Sequence, residues 1–508
     1  MSGEKPMSET RTNRRDFLKI IGLGGLAAVS GPVACRKEAV AAKRPNIVLI
    51  LADDLGYGDL GSYGQTKIRT PHLDRIAAEG LRFTQHYSGS PVCAPARCTL
   101  LTGKHTGHAY VRDNDEMREM GDVWNDPSLE GQRPIPEGTV TLGALLQGAG
   151  YRTGAIGKWG LGGPGTTGEP NRQGFDHFYG YLCQRQAHNH YPDHLWRNGQ
   201  KEMLEGNTYF SPRQKFPADK DPADPKSYES YKGQTYSFDV MLDDALRFIR
   251  ESQDRPFFLY FAPTIPHLAL QVPEDSLAEY EGAFPETPYL GDKGYLPHPK
   301  PRAAYAAMIT RMDRGIGRIM DLLRELGLDD GTLVFFTSDN GPTFDVGGAD
   351  SPFFRSAGDF RGLKGSLYEG GIRIPLLARW PGTIAPGATS GHVSAFWDFL
   401  PTLAEAAGTE IPADTDGLSF LPTLLENPGR QKEHDYLYWE YGRKSQAVLI
   451  GRWKALRRDP RSEIEVYDLE RDPGELQNVA AHHAQLVARA KEIMVSGRIE
   501  SEYFPLDR

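Results

Sequence analysis

The chain has 508 residues, of which 25% are charged and 39% hydrophobic, enough for one large core and a smaller second one in a folded protein. Its net charge of −9 excludes a nucleic-acid binder that relies on a broad basic surface. An anionic ligand must be drawn by local positive charge and not by the field of the whole molecule.

Residues 1–41 read as an export signal. Asn13-Arg14-Arg15-Asp16-Phe17-Leu18-Lys19 is a twin-arginine motif, and the apolar run behind it, 20–29, is too short to span a membrane. Cleavage after Ala39-Val40-Ala41 is the favoured reading. A lipid anchor on Cys35 is the second, weakened by Pro32 where a lipoprotein site carries an aliphatic residue. Either route uses the twin-arginine export machinery and ends in the periplasm or at the cell surface. Removing 1–41 takes away seven Lys/Arg and four Asp/Glu, so the remainder is more acidic still.

From Arg44 onward, apolar runs alternate with amphipathic stretches, which predicts an α/β fold on a mostly parallel sheet. A strand over 46–52 ends at Asp53-Asp54. A helix over 71–79 follows, opened by Pro71 and stopped by Gly80. A helix over 141–148 leads into a strand over 152–156, and a helix over 239–252 into a strand over 256–262. The longest helix, 303–326, places Met308, Met312, Ile316, Ile319 and Leu323 on one face and feeds a strand over 332–337. Residues 212–232 and 274–302 are long loops that either shape a ligand entrance or are surface excursions. Beyond 422–431, short strands over 436–441, 446–450, 452–457 and 464–469 and a helix over 480–495 predict a small antiparallel sheet with one helix. The predicted organisation is thus a catalytic domain over 42–425 and an α+β subdomain over 426–508.

The segment Ser90-Pro91-Val92-Cys93-Ala94-Pro95-Ala96-Arg97-Cys98-Thr99-Leu100-Leu101-Thr102-Gly103 is the most informative. Taken alone, Cys93 reads as a buried structural thiol. With Pro95, Arg97 and the appended Leu-Thr-Gly, the segment resembles the signature of the formylglycine-dependent type I sulfatases, arylsulfatase-like members of the alkaline phosphatase superfamily. Tyr467-Asp468-Leu469 with Asp472-Pro473-Gly474-Glu475 and Asn478 is similar to the C-terminal pattern of that family, so the resemblance spans nearly all of 45–480. It implies an alkaline-phosphatase-like fold and hydrolysis of sulfate monoesters on a sulfated carbohydrate or aryl sulfate. It also implies that a maturation enzyme oxidises Cys93 to formylglycine, whose gem-diol is the nucleophile.

In parallel α/β sheets, functional groups gather beyond the carboxyl ends of the strands. Asp53-Asp54 and Ser338-Asp339-Asn340-Gly341 end two predicted strands and offer three carboxylates and an amide oxygen. That hard-oxygen set suits Ca²⁺ or Mg²⁺, and zinc poorly, since neither segment holds a histidine. Each segment alone is an ordinary turn or cap. The resemblance makes Asp53, Asp54, Asp339 and Asn340 ligands of one cation that also meets residue 93. It further implies that Arg97 and Lys158 hold the formylglycine, that His267 protonates the departing alcohol, and that Lys364 stands beside it.

One position departs from the family pattern. Gly160 stands where many sulfatases carry the histidine assigned to releasing sulfate. His188 and His190 either fill that gap or are ordinary loop residues, and zinc at Cys183, His188 and His190 lacks a fourth ligand. His105 is expected to support the nucleophile pocket. Tyr191, His194, Trp196 and Arg197 either stack on a sugar and meet another anionic group or form a packed loop. With Cys93 modified, Cys98 and Cys183 are left as a possible disulfide. The alternative functions are a phosphonate or phosphate monoester hydrolase of the same superfamily, or a catalytically silent glycan-binding surface protein with an unmodified thiol.

Overall fold

β1 (Asn46–Ala52) is buried at every residue after Asn46, as expected of a strand covered on both faces. It lies inside an 11-stranded sheet in a computed structural model, which describes residues 44–116 and 129–507. The twin-arginine motif, the cleavage region and Cys35 lie outside the described residues. The same sheet holds β2 (Leu81–Tyr87), β3 (Arg152–Lys158), β4 (His177–Tyr181), β5 (His194–Arg197), β6 (Gln200–Met203) and β7 (Phe257–Ala262). β8 (Thr332–Ser338), β9 (Arg373–Arg379), β10 (Ala388–Ser390) and β11 (Ser394–Ala395) complete it. The order is β10-β2-β9-β8-β1-β7-β3-β4-β5-β6, with β11 beside β2.

β8, β1, β7, β3 and β4 are parallel, and their register is level: Ile50 pairs with both Phe261 and Phe336, and Ile156 with Phe261. The chain therefore leaves β1, β3, β7 and β8 along one edge. β9 runs antiparallel to β8 and β2, so the segment entering β9 arrives at that edge too. β5 and β6 extend the far side antiparallel.

Helices cover both faces. Pro301–Glu325 buries Met308, Met312, Ile316, Ile319 and Leu323 in one core, alongside Ser237–Arg250 and Pro71–Ala78. Each such side chain, fully buried, contributes roughly 1.5–3 kcal/mol. Cys93–Thr102, Leu142–Gly148 and Phe399–Ala407 pack on the other face. The small sheet is β12 (Leu437–Tyr441), β13 (Ser445–Ile450), β14 (Trp453–Arg457) and β15 (Glu465–Asp468), antiparallel throughout and backed by the helix Ala484–Ser496. Tyr87, Trp397, Trp439 and Tyr467 share one core between the two sheets. Lys454 on β14 adds a bond from Nζ to Glu369 Oε1 at 2.8 Å.

The suggested Cys98–Cys183 pairing is corrected: Cys93, Cys98 and Cys183 are all free and buried. Cys98 packs inside the helix Cys93–Thr102, whereas the Cys183 thiol donates to Glu116 Oε1 at 3.2 Å.

Candidate active site

β2 leads through residues 88–92 into the helix Cys93–Thr102, so Cys93 opens a helix. The turn is pinned from two sides. Ser88 Oγ donates to the Asp339 carbonyl at 2.5 Å, and Trp439 Nε1 donates to the Ser88 carbonyl at 2.8 Å. Asn114 Oδ1 accepts the Ala94 N–H at 3.0 Å, satisfying one first-turn donor, and Gly103 at φ +67° ends the helix. Every residue of this helix is buried. Its N-terminal partial charge favours an anionic oxygen at position 93.

Three carboxylates and three cations gather around Cys93: Asp53, Asp54, Asp339 and Lys158 at strand ends, Arg97 on the helix Cys93–Thr102 and Lys364 in the segment between β8 and β9. Lys158 Nζ lies 2.6 Å from Asp53 Oδ2, with both side chains fully buried. Arg97 donates from Nη2 and Nε to Asp339 Oδ2 at 2.8 and 3.2 Å, and from Nη1 to the Lys158 carbonyl at 2.7 Å. Lys364 Nζ bonds both Asp54 oxygens, at 2.7 and 2.8 Å, and lies 3.4 Å from Cys93 Sγ. Asp54 holds a left-handed backbone, φ +65°, a strain that clusters at functional sites.

The electrostatics follow from that packing. Burial pushes the Asp53 carboxyl up, but Lys158, Arg97 and Lys364 outweigh it and hold the group well below its usual range. Burial and the Asp53 charge push Asp339 up to about 6, against the pull of Arg97 and Lys158. Burial and Asp53 likewise push the Cys93 thiol up, despite both lysines. Lys364 stays protonated: burial opposes its charge, but Asp54 raises it well above the ordinary lysine range.

The donor set fits a hard cation. Asp53, Asp54, Cys93 and His267 each place one ligand atom within 4.8 Å of the others. Asn340 Oδ1 is buried without a hydrogen-bond partner among the described residues, while its Nδ2 donates to Asp54 Oδ1 at 2.7 Å. An amide oxygen left open beside carboxylates, where the Asp53 charge pushes Asp54 and Asp339 up, suits an oxygen-loving divalent ion. Asp339 stands slightly back, turned to Arg97 and accepting the Asp54 N–H at 3.1 Å.

His267 Nδ1–H donates to the Leu268 carbonyl at 2.5 Å, leaving Nε2 facing Asp54 Oδ2 at 3.7 Å. Burial, with Lys364 and Lys158 nearby, holds the imidazole neutral. His188 stacks on it, ring centroids 4.4 Å apart, and is likewise held neutral by burial and by His267. His190 is placed behind this pair and away from the opening: Nε2 donates to the His267 carbonyl at 2.9 Å and Nδ1 meets Thr264 Oγ1 at 3.1 Å.

His105 lies beyond the far end of the helix Cys93–Thr102, about 15 Å along its axis. Its ring stacks on His108, and Asp416 Oδ2 accepts its backbone N–H at 3.0 Å. Its Nδ1 accepts the Gly107 N–H, so Nε2 carries the ring proton and offers no lone pair to a metal shared with His108 and Asp416. Tyr191 packs against Tyr236, and His194, Trp196 and Arg197 lie on β5 and not in a loop. His194 and Trp196 hold Glu130, and Arg197 pairs with Glu202 and Asp244.

A cavity of about 500 Å³ opens onto Cys93, Lys364, His267 and His188. Sequence reading missed Asn114, Gln184, Tyr295 and Tyr441 in its wall. No short motif marks them: they come from three loops and from the end of β12. Gly160 is φ +83°, where glycine is favoured, yet an added Cβ would have 3.7 Å to its nearest neighbour, Gln184. The backbone, and not lack of room, keeps that position bare.

Comparison with known proteins agrees with this geometry. The model of the family described as Sulfatase matches residues 45–409, and that described as N-sulphoglucosamine sulphohydrolase, C-terminal, matches 362–498. Homo sapiens N-acetylgalactosamine-6-sulfatase is 33% identical over 489 residues, covering 92% of this chain and 82% of that protein. Homo sapiens arylsulfatase A is 34% identical over 484 residues, covering 86% and 84%. A solved structure described under the metabolism of multiple glycosaminoglycans by Bacteroides thetaiotaomicron has a TM-score of 0.70 at 27% identity, covering 90% of this chain and 99% of that one. The chain belongs to the sulfatase family and hydrolyses sulfate esters.

Proposed function

We propose that this sulfatase acts outside the cytoplasm on sulfated saccharides, with Cys93 converted to formylglycine and a divalent cation, Ca²⁺ or Mg²⁺, held by Asp53, Asp54, Asp339 and Asn340. One observation carries the reading: residue 93 opens a helix between Asp53 and Lys364, in a site where a thiol is a poor nucleophile because burial and Asp53 disfavour the thiolate. When present, the formylglycine supplies an attacking hydroxyl and the cation supplies positive charge for the sulfate oxygens.

The chain's own residues do the rest. Lys158 and Arg97 neutralise Asp53 and Asp339 and fix their orientation. Lys364, shared between Asp54 and residue 93, meets the sulfate oxygens. His267, with Nε2 toward the site, passes a proton to the departing alcohol oxygen once the anionic substrate offsets the two lysines that keep the ring neutral. His188 lines the cavity as a neutral imidazole and takes the proton-accepting role that Gly160 leaves without a side chain. The names of the relatives support the saccharide reading, and the twin-arginine motif supports export.

Turnover of a panel tests the assignment, read as sulfate released from sulfated saccharides and aryl sulfates and as alcohol released from phosphate and phosphonate monoesters. Hydrolysis of at least one saccharide sulfate is expected. Faster turnover of phosphonates than of every sulfate would favour the hydrolase alternative, and ligand binding without turnover would favour the silent glycan-binding one. For His188, a pre-steady-state burst followed by slow turnover in His188→Ala is expected; normal steady turnover would remove it from the release step.

A further inference from the structure

Glu475 closes the run Asp472-Pro473-Gly474-Glu475 and is fully buried, yet it takes no direct part in the sulfate chemistry. Its backbone is left-handed, φ +53°, a conformation that a non-glycine residue keeps where its surroundings over-determine it. Those surroundings are the two ends of one loop. Glu475 Oε2 accepts the Glu369 N–H at 2.6 Å, and the Glu475 carbonyl accepts from Arg361 Nη1 at 3.0 Å. Between Arg361 and Glu369 runs the segment that carries Lys364.

This loop is pinched at its base and seated in the site at its tip. The Gly370 N–H donates to the Arg361 carbonyl at 2.7 Å, and a Cβ at Gly370 would fall 2.2 Å from the Gly362 carbonyl oxygen. At the tip, the Lys364 N–H donates to the Pro342 carbonyl and the Gly365 N–H to the Pro91 carbonyl, each at 2.9 Å. Those two partners belong to the segments that bring Asn340 and Cys93. The base is fastened to the small sheet. Lys454 Nζ, on β14, lies 2.8 Å from Glu369 Oε1 and 3.1 Å from Glu475 Oε1, all three side chains being buried. Arg361 Nη1 also donates to Tyr467 Oη, on β15, at 3.1 Å. Glu369 Oε2 in turn accepts from Tyr87 Oη at 2.9 Å, at the end of β2. One residue holding both ends of the loop restricts where it can place its ammonium group. A misplacement of about 1 Å at a reacting centre costs on the order of 10²-fold in rate.

We propose that Glu475 is a positioning residue for Lys364: by clasping residues 361 and 369 it sets where the Lys364 ammonium stands against Asp54 and residue 93. This inference rests on the reading of Lys364 as the group that meets the sulfate oxygens. The test is a double-variant cycle on kcat/KM for a sulfate ester that the enzyme turns over, with K364M as the second background. Loss of folded enzyme lowers the rate by the same factor in both backgrounds, whereas a loss that acts through Lys364 disappears once Lys364 is gone. E475A is expected to lower kcat/KM about 10- to 100-fold in wild type and by less than about 2-fold in K364M. E475Q keeps an oxygen for the Glu369 N–H and should recover part of the loss. R361A opens the other clasp without stranding a buried charge. A smaller loss, again absent from K364M, is expected of it, and it decides alone if E475A does not fold. Equal losses in the two backgrounds, or no loss from either variant, overturn the proposal and leave Lys364 its role. Wild-type turnover by K364M overturns that role and the proposal together.

Discussion

Lys158→Met removes a fully buried cation from the pocket around Cys93. At 2.6 Å, with both side chains fully buried, the Lys158–Asp53 attraction is about 6 kcal/mol at an effective dielectric of about 20. Much of that is offset by the desolvation of both charges. What the variant exposes is the cost of leaving a buried carboxylate without its partner, about 3–5 kcal/mol. Arg97 Nη2 at 3.5 Å still faces Asp53, so the lower end is expected, about 3 kcal/mol. Urea unfolding of wild type, K158M, D53N and K158M/D53N measures it. Adding D53N to K158M should restore stability by at least about 1 kcal/mol, because it removes the stranded charge. Sulfate-ester turnover should fall about 10²- to 10³-fold in K158M. A K158M cost under about 1 kcal/mol, or simple additivity in the double variant, would refute the reasoning.

Asp59 gives a pH-dependent prediction away from the site. Burial pushes its carboxyl up to about 6, although Tyr305 Oη and the Gly56 N–H both donate to Oδ2 at 2.8 Å. Its folded pKa lies above the unfolded value, so the native state binds the extra proton and stability falls as pH rises from about 4 to about 6. Asp59→Asn should flatten that slope, on the order of 3 kcal/mol; an unchanged urea midpoint profile across this range would contradict it. Asn340→Ala tests the cation site without reference to turnover. Ca²⁺ should raise the melting temperature of wild type, and N340A should need at least about 10-fold more for half the rise. Equal calcium midpoints would remove Asn340 from the ligand set.

The parallel core was legible because β1, β3, β7 and β8 are runs of apolar residues broken by polar ends, and those ends carry Asp53, Lys158, His267 and Asp339. β2 and β9 were not read as strands. Gln85 and His86 interrupt the first, and the second is entered directly from the short helix Glu369–Ile372. The helix Cys93–Thr102 escaped notice because all its residues are buried, so it has no polar face to set a period. The cavity wall was the least legible part. Tyr295 and Arg213 come from loops whose role is set by packing against Gly347 and Leu290, and Tyr441 comes from the small sheet. The histidines show the same limit: spacing alone does not reveal that His188 faces the cavity while His190 ties down the His267 loop.

The central claim is that residue 93 is not a cysteine in the working enzyme. Mass spectrometry of the peptide containing position 93, from protein made with a formylglycine-generating enzyme and active on sulfate esters, tests it directly. The account predicts a peptide lighter than its cysteine form, one sulfur and two hydrogens having been replaced by one oxygen, together with its hydrate. Full sulfatase activity from protein in which that peptide carries only the intact thiol would contradict it.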